Sequence, residues 1–410
     1  MLRRVFVFAL FCVVAMVRNE VTVPLQAAPL TSAGALPESL HSAPAASAAM
    51  TSSKTPSGWA LPDSSYTWSF PRDHWAHPEY RNEWWYVVGQ LSAHGEARPR
   101  YGFQLTLFRF GLLPYTPRMN SDWASRGMVM GHLAVTDLER KTHVFSEVLA
   151  REMPLWGGFA KPFGASIAWA RAPAGTDGSW EFATTPDSSF VVRGIDRAQG
   201  MALDLVLRAV GPPVLEGPHG LSVKNTSGTA ASLYYSIPRL RTHGTLVLDR
   251  DSVAVSGLSW LDREWSSVGL GSEQAGWDWF SLQLTDGRAL MLYRLRGKSG
   301  TPDFGRATLV DSLGTPRYLS FDEWTITPRR TWKSPRTGAE YPVSWTVSVF
   351  PAGMAFDVEP LLDDQENVGD RSGVAYWEGA IVARDKDNHE IGRGYLELTG
   401  YGGKKARPEL

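Results

Sequence analysis

Three segments of this chain occur twice, and in the same order. "EWWY…QL" (83–91) returns as "DWF…QL" (278–284), "GHLAVTDLERKTHVFSE" (131–147) as "GRATLVDSLGTPRYLSFDE" (305–323), and "GMALD" (200–204) as "GMAFD" (353–357). One such match arises by chance. Three in register imply two tandem copies of a single module, with a boundary near residues 250–258. The fold must therefore be one that can be built twice within 410 residues, each copy burying a core of its own.

Periodicity says what kind of module this is. Helical spacing is scarce after Trp59, whereas short alternating runs such as "YGFQLTLFRF" (101–110), "SLYYSI" (232–237), "GTLVLD" (244–249) and "ALMLYRLR" (289–296) recur between Gly, Pro, Asp and Asn. Each copy has room for about eight short strands, and an antiparallel sheet of that size protects its edges best by closing on itself. The expected architecture is all-β, with two tandem antiparallel β-barrels over 59–256 and 257–404. Alternation alone does not separate a barrel from a sandwich. An eight-stranded barrel is just wide enough inside for side chains or one small apolar ligand.

The first 58 residues read differently. A basic tip (Arg3, Arg4) precedes 13 apolar residues, Val5–Val17, a length that suits a signal-peptide core and is short for a membrane span. Residues 1–27 are therefore expected to be a signal peptide, cleaved near Ala27, and the protein to be secreted or periplasmic. Residues 28–58 are Ala, Ser, Pro and Thr with almost no large side chains, and read as a disordered tether. The single cysteine, Cys12, falls inside the leader and follows Phe11, not the small residue a lipoprotein signal needs. A mature chain would hold no thiol, which excludes disulfides, cysteine-ligated zinc and a cysteine nucleophile. Lysine and arginine total 41 against 42 acids, so there is no general pull toward nucleic acid.

The chemistry concentrates in "WLDREWSSVGLGSEQAGWDWFSLQL" (260–284), where Asp262, Glu264, Glu273 and Asp278 stand among Trp260, Trp265, Trp277 and Trp279. A hairpin turn at Asp286-Gly287 fixes the register. It puts Asp278 on one face with Phe280, Leu282 and Leu284, opposite Ala289, Met291, Tyr293 and Leu295. In 258–265, Leu258, Trp260, Asp262 and Glu264 share one face, and Ser259, Leu261, Arg263 and Trp265 the other; neither is plainly the core. One reading pairs Asp262 and Glu264 with Arg263, Arg239 or Arg241 at a barrel rim and has Asp278 cap a turn. The other makes a carboxyl desolvated against indole a general acid.

Other patterns carry less. His74 and His77 in "HWAHPE" lie near Glu79 and Glu83, but without a helical frame or a third histidine they suit a capping strap better than a metal site, and no metal or cofactor is expected. His132 in "GHLAV" shares a strand face with Met130 and Ala134 and reads as a hydrogen-bonded core histidine able to assist an acid. "GLSWL" (257–261) lacks the second glycine of a nucleophile elbow, and no glycine loop followed by lysine cradles phosphate.

Taken together, "RDHWAHPEYRNEWWYVVGQL" (72–91), "GHLAVTD" (131–137), "YYSIPRL" (234–240), "GTL" (244–246), "WLDREW" (260–265) and "GWDWFSLQL" (276–284) resemble the AttH-like, carotenoid 1,2-hydratase family of tandem lipocalin-like domains, over essentially residues 59–402. The resemblance implies a calycin-type double barrel and, in the enzymatic branch, cofactor-free addition of water across a terminal isoprenoid double bond. It assigns the proton donor to the position of Asp262. Trp260 stands where tyrosine is expected in carotenoid hydratases, and "YYSIP" (234–238) replaces an upstream His-x-Trp element; both departures bear on the substrate more than on the fold.

The expected site takes a hydrophobic small molecule, an isoprenoid or lipid, near the junction of the modules. Asp262 and Asp278 are its candidate acids, and Trp260, Trp265, Trp277, Trp279, Trp85 and Tyr235 its ligand-binding rings, since protonating an alkene needs a desolvated acid and ring faces that stabilise a cation. A hydro-lyase and a non-catalytic periplasmic carrier or lipid chaperone, with a membrane-associated or transporter partner, are both compatible with these residues, as is a purely structural role with both barrels filled by their own side chains.

Overall fold

A computed structural model describes residues 53–402, apart from 119, 120, 122, 165, 300 and 302. The expected signal peptide 1–27 and most of the expected tether, 28–52, lie outside the described residues. The end of that tether, 53–58, is not disordered: Lys54 bridges Ala60, and the Thr55 hydroxyl accepts from the backbone N–H of Trp59, which is buried. One buried indole supplies the apolar area that the preceding Ala and Ser lack.

In the first copy, β1 (Asn82–Ala93), β2 (Tyr101–Gly111), β3 (Gly127–Asp137), β4 (Thr142–Arg151), β5 (Gly157–Phe159), β6 (Ser166–Arg171), β7 (Ser179–Thr184), β8 (Phe190–Asp196), β9 (Met201–Ala209), β12 (Ala231–Leu248) and β13 (Asp251–Ser266) form an antiparallel sheet in the order β4-β3-β2-β1-β13-β12-β9-β8-β7-β6-β5. The short β10 (Val214–Leu215) and β11 (Leu221–Val223) pair with β12. The second copy contains β14 (Gln274–Leu284), β15 (Ala289–Gly297), β16 (Phe304–Val310), β17 (Pro316–Leu319), β18 (Trp324–Lys333), β19 (Glu340–Val349), β20 (Met354–Pro360), β22 (Ala375–Arg384) and β23 (Glu390–Leu398), in the order β17-β16-β15-β14-β23-β22-β20-β19-β18, with β21 (Glu366–Val368) on β22.

Laid side by side, the two orders follow the same path over nine strands, and the first continues through β6 and β5. The three repeated segments fall on β1 and β14, β3 and β16, and β9 and β20, which occupy equivalent places in the two sheets. The first sheet bends until β3 and β4 come against β5 and β6, a nearly closed barrel in which Trp180 lies over Gly131, where a Cβ would stand 2.9 Å from the indole. The second sheet wraps its own core more openly. Both are lipocalin-like.

The boundary expected between 256 and 257 falls inside β13. That strand pairs along its length with β1 and β12 and is the equivalent of β23, the last strand of the second copy. The change of sheet therefore comes after Ser266. Alternation could not locate it, because a strand buried on both faces has no polar side to mark where a module ends.

Each module buries its own apolar core, Leu105, Leu107, Trp180, Phe182 and Leu205 in the first and Phe280, Leu282, Leu292, Tyr341 and Trp345 in the second. A third buried cluster, with Tyr86, Tyr234, Trp260, Trp279, Met291 and Tyr395, lies between the modules. The repeated "QL" explains part of this junction. Gln90 reaches across to donate to the carbonyls of Ile381 and Gly394, both at 2.8 Å, and its equivalent Gln283 reaches back to those of Pro238 and Ser259, at 2.8 and 2.9 Å.

Candidate active site

The strand β13 separates two environments. Leu261, Arg263 and Trp265 point into the first barrel, while Leu258, Trp260, Asp262 and Glu264 face the second module, so both faces of 258–265 are covered. Asp262 is 3% exposed and has no lysine or arginine within 4.0 Å among the described residues. Arginine pairing at a rim is thus not its role. Its Oδ2 accepts from the Tyr234 hydroxyl at 2.5 Å, and its Oδ1 accepts from Trp260 Nε1 at 2.5 Å and lies 2.6 Å from Ser236 Oγ.

Ser236 Oγ also lies 2.7 Å from Oε1 of Glu216, which is 1% exposed. A hydroxyl carries one hydrogen and can donate to only one of two carboxyl groups. For both contacts to be hydrogen bonds, the other carboxyl must carry a proton and donate it to Ser236 Oγ. Burial acts the same way, pushing Asp262 up to about 7 and Glu216 up to about 8.

More acids share this junction. Glu397 is pushed up to about 7 by burial and then by the charge of Asp262, although Trp277 Nε1 donates to it at 2.9 Å. Glu378, 1% exposed, accepts from the Tyr86 hydroxyl at 2.6 Å and is raised well above the usual carboxylate range by burial and by Glu397. Glu264 is paired at 2.8 Å with Lys224, whose ammonium also lies over the rings of Tyr293 and Tyr234. Trp279 Nε1 donates to the Tyr234 hydroxyl at 3.1 Å, extending the network to the second module.

A cleft of about 390 Å³ opens at the opposite end of the junction from Lys224. It is lined by Gln90, Gln283, Leu258, Arg239, Trp260 and Tyr395 among others. Asp262 stands behind its wall, with the Trp260 indole between the acid and the open space.

The candidates named from sequence divide into three groups. Asp262, Trp260, Trp277 and Trp279 come together between the modules. Trp85, Trp265 and Tyr235 belong to the first barrel, where Arg263 lies over Trp85, Trp265 stacks on His77 at 3.7 Å, and the Tyr235 hydroxyl lies 2.6 Å from His74 Nδ1. Asp278 points into the second barrel with Phe280 and Leu282, but the hairpin loop holds three residues, so this face meets Leu290, Leu292 and Arg294, and the expected partners Ala289, Met291, Tyr293 and Leu295 face the junction instead. Asp278 neither caps a turn nor joins Asp262: Arg294, Arg296 and Tyr401 bind it. His74 and His77 sit in a strap across the first barrel mouth, His77 Nδ1 2.7 Å from Glu83. His132, bonded to the Tyr376 hydroxyl at 2.7 Å, is held by burial down at about 3 and faces the second module.

Sequence reasoning missed Glu216, Ser236, Glu378 and Glu397. A signal for two of them existed. "WLD" (260–262) recurs as "YLE" (395–397), and "YYS" (234–236) as "YWE" (376–378), each on equivalent strands. Nothing in the sequence around Glu216 singles it out.

Two lipocalin-like modules joined face to face, with carboxyl groups desolvated between them, define a tandem-barrel class of protein. The chain belongs to the AttH-like family, whose pattern residues 61–401 match. A protein of Nitrosomonas europaea assigned as AttH, known from its crystal structure, is 34% identical, with a TM-score of 0.72 over 84% of this chain and 100% of that one. Kievitone hydratase of Fusarium solani subsp. phaseoli is 22% identical over 173 residues, 41% of this chain and 48% of that protein. The dehydratase asqC of Emericella nidulans is 24% identical over 182 residues, 41% of this chain and 49% of that protein. The chain thus spans about half the length of the curated relatives it matches.

Proposed function

We propose that this protein is a hydro-lyase that adds water to, or removes it from, a carbon–carbon bond of a hydrophobic small molecule bound between its modules, with Asp262 as the acid. The observation that carries this reading is the Glu216–Ser236–Asp262 contact, in which the single serine hydrogen reaches only one of two buried carboxyl groups, so the other must hold a proton of its own for both contacts to be hydrogen bonds. A carboxyl that keeps a proton near neutral pH is what protonation of an unactivated double bond requires. A carrier has no use for such a proton. That relatives include a hydratase and a dehydratase supports the same chemistry in its two directions.

In the hydration direction, the Asp262 carboxyl gives its proton to one alkene carbon, and the other becomes cationic beside the Trp260, Trp279 and Tyr234 rings. Water bonds to that carbon through oxygen, and its released proton goes to the Asp262 carboxylate, which is restored. Between turnovers Ser236 lets that same proton rest on either Asp262 or Glu216. Substrate enters by the cleft and reaches the acid when the Trp260 indole turns aside. An isoprenoid or lipid suits this wall of rings, and the basic, apolar N-terminus supports a reaction that follows export.

The test is to incubate the protein with isoprenoid and unsaturated lipid candidates in ¹⁸O-labelled water and follow products by mass spectrometry. Labelled oxygen should enter the product with the native chain and not with Asp262→Asn. Ligand uptake without product by the native chain, across the whole panel, would refute the reading.

A further inference from the structure

Ten large hydrophobic side chains are exposed among the described residues, and six of them gather at one end of the first module: Phe70, Tyr115, Trp123, Leu155, Trp156 and Phe163. The strand pairing explains why they meet. Asn82 of β1 stands opposite Phe110 of β2, Gly111 opposite Gly127 of β3, and Met128 opposite Arg151 of β4, so the loops 112–126 and 152–165 leave the sheet at the end crossed by the strap 66–80. Side chains tie these pieces into one surface. Phe163 packs on Trp75 of the strap at 5.4 Å, Arg126 donates to the Pro78 carbonyl at 2.7 Å, and Arg151 to that of Trp123 at 3.5 Å.

The same loops are basic, although the chain as a whole is not. Loops 112–126 and 152–165, with Arg151 at the end of β4, hold four cations, Arg118, Arg126, Arg151 and Lys161, against two acids, Asp122 and Glu152, and the strap adds Arg72 against Asp73 and Glu79, where the full chain has 41 against 42. None of the four cations has a carboxylate within 4.0 Å among the described residues. Glu152 is half-buried, and burial raises its pKa, which weakens one countercharge; in the strap Asp73 is paired with Arg72 at 2.9 Å, leaving Glu79 as its exposed acid.

We propose that this end of the first module is a docking surface for an anionic lipid membrane. Leu155 is 79% exposed, Phe163 69% and Trp123 66%, at the tips of turns and not in a groove, which suits insertion among lipid headgroups better than a protein partner's flat, lysine-poor interface. Tryptophan and tyrosine favour the headgroup layer, where an apolar ring and a polar N–H or O–H are both satisfied. Arginine and lysine beside them, without a carboxylate within 4.0 Å among the described residues, attract anionic lipid over about a Debye length. This inference is independent of the hydro-lyase reading, since the cleft opens at the other end of β1.

Flotation with phosphatidylcholine vesicles, with and without phosphatidylglycerol, tests it on the full chain. The native protein should float at least tenfold more with the anionic vesicles and lose that excess as salt is raised. Trp156→Ser with Phe163→Ser should cut binding at least tenfold, and Arg151→Glu with Lys161→Glu should remove the preference for phosphatidylglycerol. Near-ultraviolet circular dichroism reports whether each variant keeps its fold; if one pair of changes unfolds the chain, the other pair decides. Equal flotation of native and folded variant chains would overturn the proposal, any binding then belonging to the apolar run at residues 5–17. Absence of binding to phosphatidylglycerol vesicles would overturn it as well.

Discussion

Asp262 on β13 and Glu397 on β23 occupy the same position in the two copies of the module. Asp262 pairs with Tyr86 of β1, and Glu397 with Trp279 of β14, the residue equivalent to Tyr86 when Gln90 is matched to Gln283. Duplication thus sets two acids face to face across the junction, and with Glu216 and Glu378 they crowd more carboxyl groups into one desolvated region than can all be ionised. The site is a consequence of symmetry. A single module would leave this face wet and its acid ordinary.

Replacing Ser236 tests the shared proton directly. Ser236→Ala removes the hydroxyl between Glu216 and Asp262 and should slow turnover by about 10²-fold or more, within the range for loss of positioned proton transfer. Ser236→Thr keeps the hydroxyl and should restore most of it. Measuring kcat and KM separately distinguishes the two roles: loss of the relay lowers kcat, whereas loss of cleft shape raises KM.

The acids should also be visible in stability. Asp262 and Glu397 rise from 3.8 and 4.5 to about 7 on folding, and Glu216 from 4.5 to about 8. A carboxyl whose folded pKa lies above its unfolded one contributes most below the unfolded value, and that contribution is lost as pH rises through the folded value. His74 and His132, lowered from 6.5 to about 3, and His143, lowered to about 4, act oppositely, but their contribution is complete once pH exceeds 6.5. Between pH 6.5 and about 8, therefore, unfolding free energy should fall, by ~1.4 kcal/mol per pH unit for each proton released. Urea midpoints measured across that window should show the fall in the native chain and a shallower one in Asp262→Asn with Glu397→Gln.

What could be read in advance followed from backbone rules. The duplication and the all-β class are local or repeated patterns, and alternation alone puts Asp278 on the inward face with Phe280. The register did not follow, because the Leu284 N–H bonds the Arg288 carbonyl at 2.8 Å around a three-residue loop, 285–287, in place of the two-residue turn expected at Asp286-Gly287. The partition of aromatic residues was not legible. Trp265 and Trp260 are both buried on one strand, the first in a barrel and the second against another module, and alternation treats these surroundings alike. Asp278 shows the same limit. Its burial was foreseen, but its partners Arg294 and Arg296 come from the neighbouring strand, so the same burial gives a structural ion pair there and, with no cation beside it among the described residues, a carboxyl of raised pKa at Asp262.

The glutamine clamps should govern whether the modules unfold together. Gln90→Ala leaves the carbonyls of Ile381 and Gly394 without their side-chain donor, and Gln283→Ala does the same to Pro238 and Ser259. Each change should cost about 1–3 kcal/mol where water does not replace the bond. In the double variant, calorimetry should resolve two transitions where the native chain shows one, because the junction loses polar bonds in both directions while each module keeps its own core.

Inside the first barrel, Glu83 is the charge that should tolerate change least. Fully buried, it is ringed by Arg263 at 2.7 Å, Arg109 at 3.2 Å and His77 at 2.7 Å, with Arg263 lying 4.0 Å from the Trp85 ring centre. Burial pushes its carboxyl up, but the charges of Arg263, His77 and Arg109 outweigh it and hold the group well below the usual range. A carboxyl lowered in this way contributes stability above its unfolded value of 4.5 that is lost as pH falls through its folded one, the opposite sense to the acids at the junction. Glu83→Ala should leave two buried guanidinium groups uncompensated and cost about 3–5 kcal/mol at neutral pH. Arg263→Met should cost less, because Arg109 and His77 still face the carboxylate. If urea denaturation showed Arg263→Met to be the costlier change, the stacking of its guanidinium on Trp85, not the charge pairing, would be the main support of this end of the barrel.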